Sequence, residues 1–263
     1  MGDAPIALIP TIASSDAPLP PLSVIYKEDG SFESYWYFSR CVDLILVDTM
    51  IIANAPVRYL VAGMGDALST KFEAEACKLS GNAIADCFSS ELVIEICNLC
   101  YKILMEYGVI AKESAEKRLV TPALDKIVGV NTLLSGLGAA NDVAAAAHAI
   151  HDGFTILEET HKFLHGEKVG FCTIAQLLLE GRSPILINEV IDFCYKVGLP
   201  ISLSDLNITN DIEEKISKVA GSVSKWIKNE PLEVTEKSIF NSIMLTDSIG
   251  ENFKKGKNLK EII

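Results

Sequence analysis

The sequence has little positive charge. Its 263 residues include 23 lysines and arginines against 35 aspartates and glutamates, which gives a formal net charge of −12. A nucleic-acid surface needs a basic patch to neutralise phosphates, so we expect no nucleic-acid partner. The charge balance therefore removes DNA- and RNA-binding proteins from the candidate classes.

Recognisable targeting and membrane segments are also missing. The N-terminus has no basic region ahead of an apolar run and is broken by Asp3 and Pro5, unlike a signal peptide. The most apolar stretch, residues 41–63, carries Asp48 and Arg58 and does not resemble a membrane span. We therefore expect no membrane partner.

The seven cysteines show no disulfide framework, because they are scattered and odd in number. With no secretion signal, they indicate reduced thiols and a cytoplasmic protein. Cys97 and Cys100 have the spacing of a redox or zinc pair, but they lie in an apolar helical pattern with no second pair nearby. We interpret both as core residues.

Strand patterns occupy only the front of the chain. They cover residues 6–10, 22–26, 31–37 and 42–48. Asp29-Gly30 predicts a hairpin turn between the middle two. From about Val57 the periodicity is helical. We predict an α/β remnant over residues 1–54, the end of a larger α/β domain, and a helical domain over residues 55–263.

Local signals place several helix ends. Thr121 before Pro122, and Thr235, have the residue types of N-caps. A helix over residues 91–107 is expected to stop at Gly108. Further helices are predicted from about residue 131 and over residues 173–180, 187–197 and 212–227.

Histidine is scarce, and all four copies fall within one short window: His148, His151, His161 and His165. On a helix, His148 and His151 share a face. Imidazole is a common zinc ligand, and a catalytic zinc usually takes three protein ligands and leaves one position open. Two of these histidines with one carboxylate would meet that need. The alternative is a set of ordinary helix and loop histidines.

Asp66, in the segment Gly63-Met-Gly-Asp66, is the best candidate for that carboxylate. It could instead be a helix cap that gains from the helix dipole. The segment Gly136-Leu-Gly138 is not a dinucleotide fingerprint, because it lacks the third glycine and follows a helical pattern.

Beyond these single motifs, the sequence resembles the NAD-dependent, zinc-containing glycerol dehydrogenases of the iron-containing alcohol dehydrogenase superfamily, whose fold is shared by dehydroquinate synthases. The matching segments stand in family order over almost the whole chain: residues 10–18, 22–26, 55–68, 131–138, 148–151, 165–169 and 197–200. The resemblance implies a two-domain enzyme with its site between the domains: residues 1–54 would be the C-terminal remnant of a nucleotide-binding domain, and residues 55–263 an all-helical metal-binding domain.

The resemblance also implies roles for individual residues. The metal ligands would be Asp66, His148 and His165, and Asp16 would lie beside the substrate hydroxyls. Thr11 and Ser14 would contact the cofactor phosphates, and Leu22 and Tyr26 would lie near the nicotinamide. His151 could relay a proton. Iron-dependent relatives carry a histidine where Thr70 stands, so the likeness favours zinc over iron.

The implied reaction is zinc-assisted hydride transfer from glycerol or a related polyol to NAD, which gives dihydroxyacetone, in a homo-oligomer. Members carry roughly a hundred further residues in front, with a glycine-rich phosphate loop. Two alternatives stay open. One is a catalytically silent metal-binding module that needs a partner chain or a missing N-terminal half. The other is a metal-dependent lyase of the dehydroquinate synthase type.

Overall fold

The front of the chain forms two small sheets. A computed structural model describes residues 4–81 and 90–257. Strand β1 (Ala7–Leu8) pairs in parallel with β4 (Leu44–Ile45), and β2 (Leu22–Tyr26) pairs antiparallel with β3 (Phe32–Tyr37). The hairpin prediction is confirmed. The predictions over 6–10 and 42–48 are too long, because only two residues of each segment pair.

The hairpin turn follows from its local chemistry. Gly30 has φ 83°, a left-handed conformation that glycine adopts without steric cost. The Asp29 side chain accepts hydrogen bonds from the backbone N–H of Ser31 at 2.9 Å and from its hydroxyl at 2.6 Å. An Asp-Gly pair therefore closes this turn with its own side chain and backbone.

Helices make up most of the remaining structure. They are α1 (Thr49–Asn54), α2 (Val57–Ser80), α3 (Glu91–Glu116), α4 (Pro122–Gly129), α5 (Ser135–Ala139), α6 (Ala146–Phe154), α7 (His165–Leu179), α8 (Pro184–Val197), α9 (Ile212–Ala220) and α10 (Glu236–Lys254). A π-helical turn spans Val130–Leu134, and 3-10 turns span Glu158–Thr160, Ser204–Leu206 and Lys225–Asn229. The chain is thus an α/β piece followed by a mainly helical part. The domain boundary at residue 54 stays a prediction.

Two predicted caps are confirmed. The Thr121 hydroxyl accepts from the N–H of Leu124 at 3.2 Å, and the Thr235 hydroxyl accepts from the N–H of Ser238 at 3.1 Å. Each bond satisfies one of the N–H groups that a helix start leaves without an internal partner.

Three predicted helix limits are wrong. Helix α3 continues through Gly108 to Glu116. This glycine makes room for a neighbour, since a Cβ there would lie 2.7 Å from the Phe193 ring. Helix α7 begins at His165, eight residues before the predicted start. The segment predicted as one helix over 212–227 breaks after Ala220.

Helix α2 is the central element of the fold. Every residue from Leu60 to Thr70 is buried, and the helix packs against α3 on one side and α7 on the other. At the α2–α7 contact, a Cβ on Gly166 would lie 1.8 Å from the carbonyl oxygen of Ala62. Only glycine permits this approach. The contact brings the middle of α2 next to the first turn of α7.

The cysteine interpretation holds within α3, where Cys97 and Cys100 are buried in the core. Six cysteines are free thiols, and Cys87 lies outside the described residues. Over residues 4–81 and 90–257, we find no helix with the length and apolar character that crossing a membrane requires.

Candidate metal centre

Three side chains from three helices converge on one point. Asp66 comes from the middle of α2, His148 from α6 and His165 from the start of α7. The Asp66 Oδ1 atom lies 3.1 Å from His165 Nε2 and 3.5 Å from His148 Nε2. One ligand atom from each residue falls within 4.8 Å of the others. One carboxylate and two imidazoles are thus gathered as a set of metal-ligand atoms.

Asp66 is not a helix cap. Helix α2 begins at Val57, with Pro56 at the N-cap position, so Asp66 lies well inside the helix. Its side chain is only 3% exposed. A buried carboxylate needs charged or hydrogen-bonding partners. Asp66 finds them in the two histidines and in the backbone N–H of Asp16, at 3.3 Å.

The electrostatics of the cluster suit a cation. Burial alone would raise the pKa of Asp66, but the charges and hydrogen bonds of His165 and His148 outweigh it and hold this pKa well below its ordinary range. Burial would lower the pKa of His148, but the carboxylates of Glu73 and Asp66 raise it well above the ordinary value. The cluster thus concentrates negative charge, which a protonated His148 or a bound cation would balance.

Two carboxylates that pair with histidine rings are absent from the sequence predictions. Glu73 Oε2 lies 2.6 Å from His148 Nδ1, and Asp152 Oδ1 lies 3.2 Å from His151 Nδ1. Glu73 is seven residues after Asp66, which is two helical turns along the same face of α2. That spacing could have identified it. No comparable spacing in the sequence identifies Asp152.

A chain of hydrogen bonds runs from His165 to the hairpin. His165 Nδ1 lies 3.2 Å from His151 Nε2, and the Tyr35 hydroxyl donates to Asp152 Oδ2 at 2.7 Å. Because a carboxylate only accepts, Asp152 places a hydrogen on His151 Nδ1 and leaves His151 Nε2 to accept from His165. The pKa of His151 falls to about 3, through burial and then the charge of His165.

His151 is not part of the cluster, although it lies on the same helix as His148. His151 is 1% exposed and lies behind His165. His161 is also separate from the cluster. Its Nε2 lies 2.7 Å from the carbonyl of Thr155, and its ring packs against Gly30. His161 therefore fits the alternative of an ordinary loop histidine.

Asp16 reaches the cluster from the loop that follows β1. Ser135 donates to Asp16 Oδ2 at 2.7 Å, and the Ser135 and Thr70 hydroxyls lie 3.2 Å apart. Burial, and then the charge of Asp66, raise the pKa of Asp16 to about 7. A carboxyl group with this pKa can exchange protons near neutral pH.

A cavity of about 390 Å³ opens beside the cluster. Among its lining residues are Asp16, Leu22, Tyr26, Tyr35, His148, Asp152, His165 and Trp226. Thr11 lines a different cleft, together with Asp48 and Asn54, and Ser14 lines neither of these two cavities. Five predicted site residues therefore line one cavity: Asp16, Leu22, Tyr26, His148 and His165. The predicted phosphate contacts, Thr11 and Ser14, lie outside it.

Comparison with known proteins identifies the class. No family model matches the sequence. The chain is 48% identical over 250 residues to glycerol dehydrogenase from Thermotoga maritima, which covers 94% of this chain and 69% of that protein. It is 46% identical over 253 residues to the enzyme from Citrobacter freundii, with 95% and 69% covered.

Solved structures agree with the sequence relatives. A probable glycerol dehydrogenase from Sinorhizobium meliloti superposes with a TM-score of 0.90 at 41% identity, covering 95% of this chain and 71% of that one. Glycerol dehydrogenase from Schizosaccharomyces pombe gives 0.91 at 36% identity, covering 96% and 65%. An iron-containing alcohol dehydrogenase from Thermotoga maritima shares the fold, with a TM-score of 0.68 at 19% identity.

These sequence relatives are dehydrogenases, which places the chain in the class of the oxidoreductases, and the chain spans 69% of the length of the two enzymes from Thermotoga maritima and Citrobacter freundii. Within that class, the chain belongs to the glycerol dehydrogenase family.

Proposed function

We propose that this chain carries the metal and substrate site of an NAD-dependent glycerol dehydrogenase, which oxidises glycerol or a related polyol to a ketone. For glycerol the product is dihydroxyacetone, and NAD takes up the hydride. The observation that carries the proposal is the convergence of Asp66, His148 and His165 beside a cavity that Asp16 also lines.

We propose zinc as the metal, held by Asp66, His148 and His165. A carboxylate with two imidazoles fits zinc, and three protein ligands leave a position open for a substrate oxygen. Thr70, one helical turn after Asp66, is hydrogen-bonded to Ser135 and offers no imidazole. That favours zinc over iron. A zinc ion bound here would act as a Lewis acid that lowers the pKa of a substrate hydroxyl.

We propose that Asp16 binds the polyol through its hydroxyl groups. Its carboxyl group lies in the cavity wall and accepts a hydrogen bond from Ser135. The backbone N–H of Asp16 donates to the carboxylate of Asp66. A carboxyl group held in this way can accept a hydrogen bond from one hydroxyl while a neighbouring hydroxyl faces the ligand cluster. Its pKa of about 7 keeps both protonation states available near neutral pH.

For NAD, we propose that Leu22 and Tyr26 flank the nicotinamide. Both lie on β2, and both line the cavity. NAD would supply the hydride acceptor, and the protein would supply position. We propose Thr11 and Ser14 as phosphate contacts. Their support is the loop after β1, because loops at the carboxyl ends of strands are common ligand sites.

His151 remains the proposed proton relay. It is buried and does not line the cavity, but its partner Asp152 and the next group, Tyr35, both do. A proton leaving the substrate side could therefore pass along this chain without His151 touching substrate. Loss of NAD reduction with zinc retained in His151→Ala supports the relay, and an unchanged rate refutes it.

We also propose a cytoplasmic homo-oligomer. The cytoplasm is supported by the free thiols of the described cysteines. Assembly is supported by an apolar stripe on the outer face of α3, where Leu92, Leu99 and Ile110 are exposed at spacings that share one helix face. Light scattering on the protein and on Leu99→Glu tests this, since a charge in the stripe should reduce the mass.

The proposed function is tested on one purified sample by zinc content and by NADH formation with glycerol. We expect both in the unchanged protein and neither in Asp66→Ala. Zinc without NADH would support the alternative of a metal-binding module that needs further chain. Absence of zinc would refute the metal site.

A further inference from the structure

Helix α6, which carries His148, begins without a cap of its own. Its N-cap residue is Ala145, which has no side-chain acceptor. A helix start leaves its first N–H groups without internal partners, and leaving them buried and unpaired is costly. Side chains from other elements accept them instead: Glu73 from Ala145 and His148 at 2.7 and 3.0 Å, Glu230 from Ala146 at 2.9 Å, and Gln176 from Ala147 at 3.1 Å.

Glu73 differs from the other two acceptors because it also holds the ring. Its Oε1 atom accepts the two backbone N–H groups, while Oε2 lies 2.6 Å from His148 Nδ1. The residue is fully buried. A carboxylate only accepts, so the hydrogen of this bond belongs to Nδ1. His148 Nε2 is then the nitrogen that faces Asp66.

We propose that Glu73 is the positioning residue for His148: it fixes the start of α6, the orientation of the ring and the hydrogen on Nδ1, and so sets the metal affinity of the cluster. This inference rests on the metal site of the proposed function. Carboxylates that hold the second nitrogen of a ligand histidine generally raise metal affinity about 10- to 100-fold.

Glu230 provides a matched control. It is a buried glutamate that caps the same helix, but its hydrogen bond goes to the backbone of Ala146. Glu73→Gln and Glu230→Gln both keep a carbonyl oxygen for the cap. Only in Glu73→Gln can an amide N–H₂ group face His148 Nδ1. Two hydrogen-bond donors would then face each other, because Nδ1 already carries a hydrogen.

The experiment is zinc titration of the metal-free protein against a competing chelator, with no NAD or glycerol present. We expect Glu73→Gln to weaken zinc binding about 10- to 100-fold. Glu230→Gln should change it less than about 3-fold, because the amide keeps an oxygen for the Ala146 N–H and the hydrogen bond of Glu230 does not involve the His148 ring. In a His148→Ala background, Glu73→Gln should have no further effect. Equal losses in both glutamine variants, or unchanged binding in Glu73→Gln, would overturn the proposal.

A second measurement needs no variant. Nitrogen NMR of labelled histidine in the zinc-loaded protein should give His148 a protonated Nδ1 and a metal-bound Nε2. Zinc on Nδ1 would overturn the proposal even if Glu73→Gln failed to fold. Neither measurement depends on turnover, so a zinc-loaded protein that makes no NADH would count against the proposed function and leave the role of Glu73 standing.

Discussion

Replacing Gly166 by alanine tests the close contact between α2 and α7 that brings the candidate metal ligands together. The added Cβ would lie 1.8 Å from the Ala62 carbonyl oxygen and 2.9 Å from the Asp66 backbone nitrogen. Both neighbours are backbone atoms of a buried helix, so neither can rotate away. Helices α2 and α7 must separate by about 1.2 Å before the nearest contact reaches the 3.0 Å below which real Cβ contacts are essentially absent.

The magnitude follows from that displacement. Overpacking a core costs about 1 to 3 kcal/mol, and a clash with backbone belongs at the upper end or beyond. We expect Gly166→Ala to lower the free energy of unfolding by roughly 3 kcal/mol. It should also weaken zinc binding, because His165 directly precedes the altered residue and would move away from Asp66. In the unchanged protein, His165 Nε2 lies 3.1 Å from Asp66 Oδ1.

Urea unfolding of the metal-free protein measures the first effect as a lower midpoint with an unchanged slope. Zinc titration measures the second. Gly129→Ala is the control, because its Cβ would meet nothing within 4 Å in a helical backbone. It should stabilise by about 0.5 to 1 kcal/mol. If Gly166→Ala were as stable as Gly129→Ala and bound zinc equally well, the account of this contact would be refuted.

Three further predictions concern buried groups. Tyr35→Phe leaves Asp152 Oδ2 without its hydroxyl donor and should cost about 1 to 3 kcal/mol in thermal unfolding; no loss would contradict the bond. Gly108→Ala should cost about 1 to 3 kcal/mol against the Phe193 ring, whereas a gain in stability would show that the ring yields. Burial, then the charge of Glu180, raise the Glu230 pKa from 4.5 to about 8. The folded state therefore holds a proton that the unfolded state releases, and stability falls as pH rises between these values. Glu230→Gln should gain on the parent by about 3 kcal/mol from pH 5 to pH 8, and a constant difference would contradict the shift.

Elements with local signals could be predicted from the sequence. The hairpin has an Asp-Gly turn between two alternating segments, and the caps at Thr121 and Thr235 are single-residue features. Each depends on contacts within a few residues. The strands predicted over residues 6–10 and 42–48 are too long, because an apolar run does not indicate how many of its residues pair with another strand.

Helix α7 shows where local reasoning ends. Leu164, at its N-cap position, has no side-chain acceptor, so no cap marks the start at His165. Its N–H is bound instead by Glu167, whose carboxylate also pairs with Arg58 at 2.6 Å. That pair spans more than a hundred residues of sequence. A partner so distant cannot be inferred from spacing alone.

Part of the candidate site could likewise be predicted from the sequence, and part could not. Asp66, His148 and His165 lie in the segments that match the family, and the structure brings them together in one cluster. Their role as metal ligands stays a prediction. Glu73 and His148 are separated by 75 residues and belong to different helices. Their contact depends on how α2 and α6 pack, which the sequence does not express as a motif.

The most direct test of the metal centre is calorimetric titration of zinc into the metal-free protein and into Asp66→Asn, which keeps the shape of the side chain but removes its charge. We predict one zinc per chain in the unchanged protein, and binding that is weakened at least about 10-fold in the variant. Equal zinc binding by both proteins, or no binding by either, would contradict the assignment of Asp66, His148 and His165 as the metal ligands.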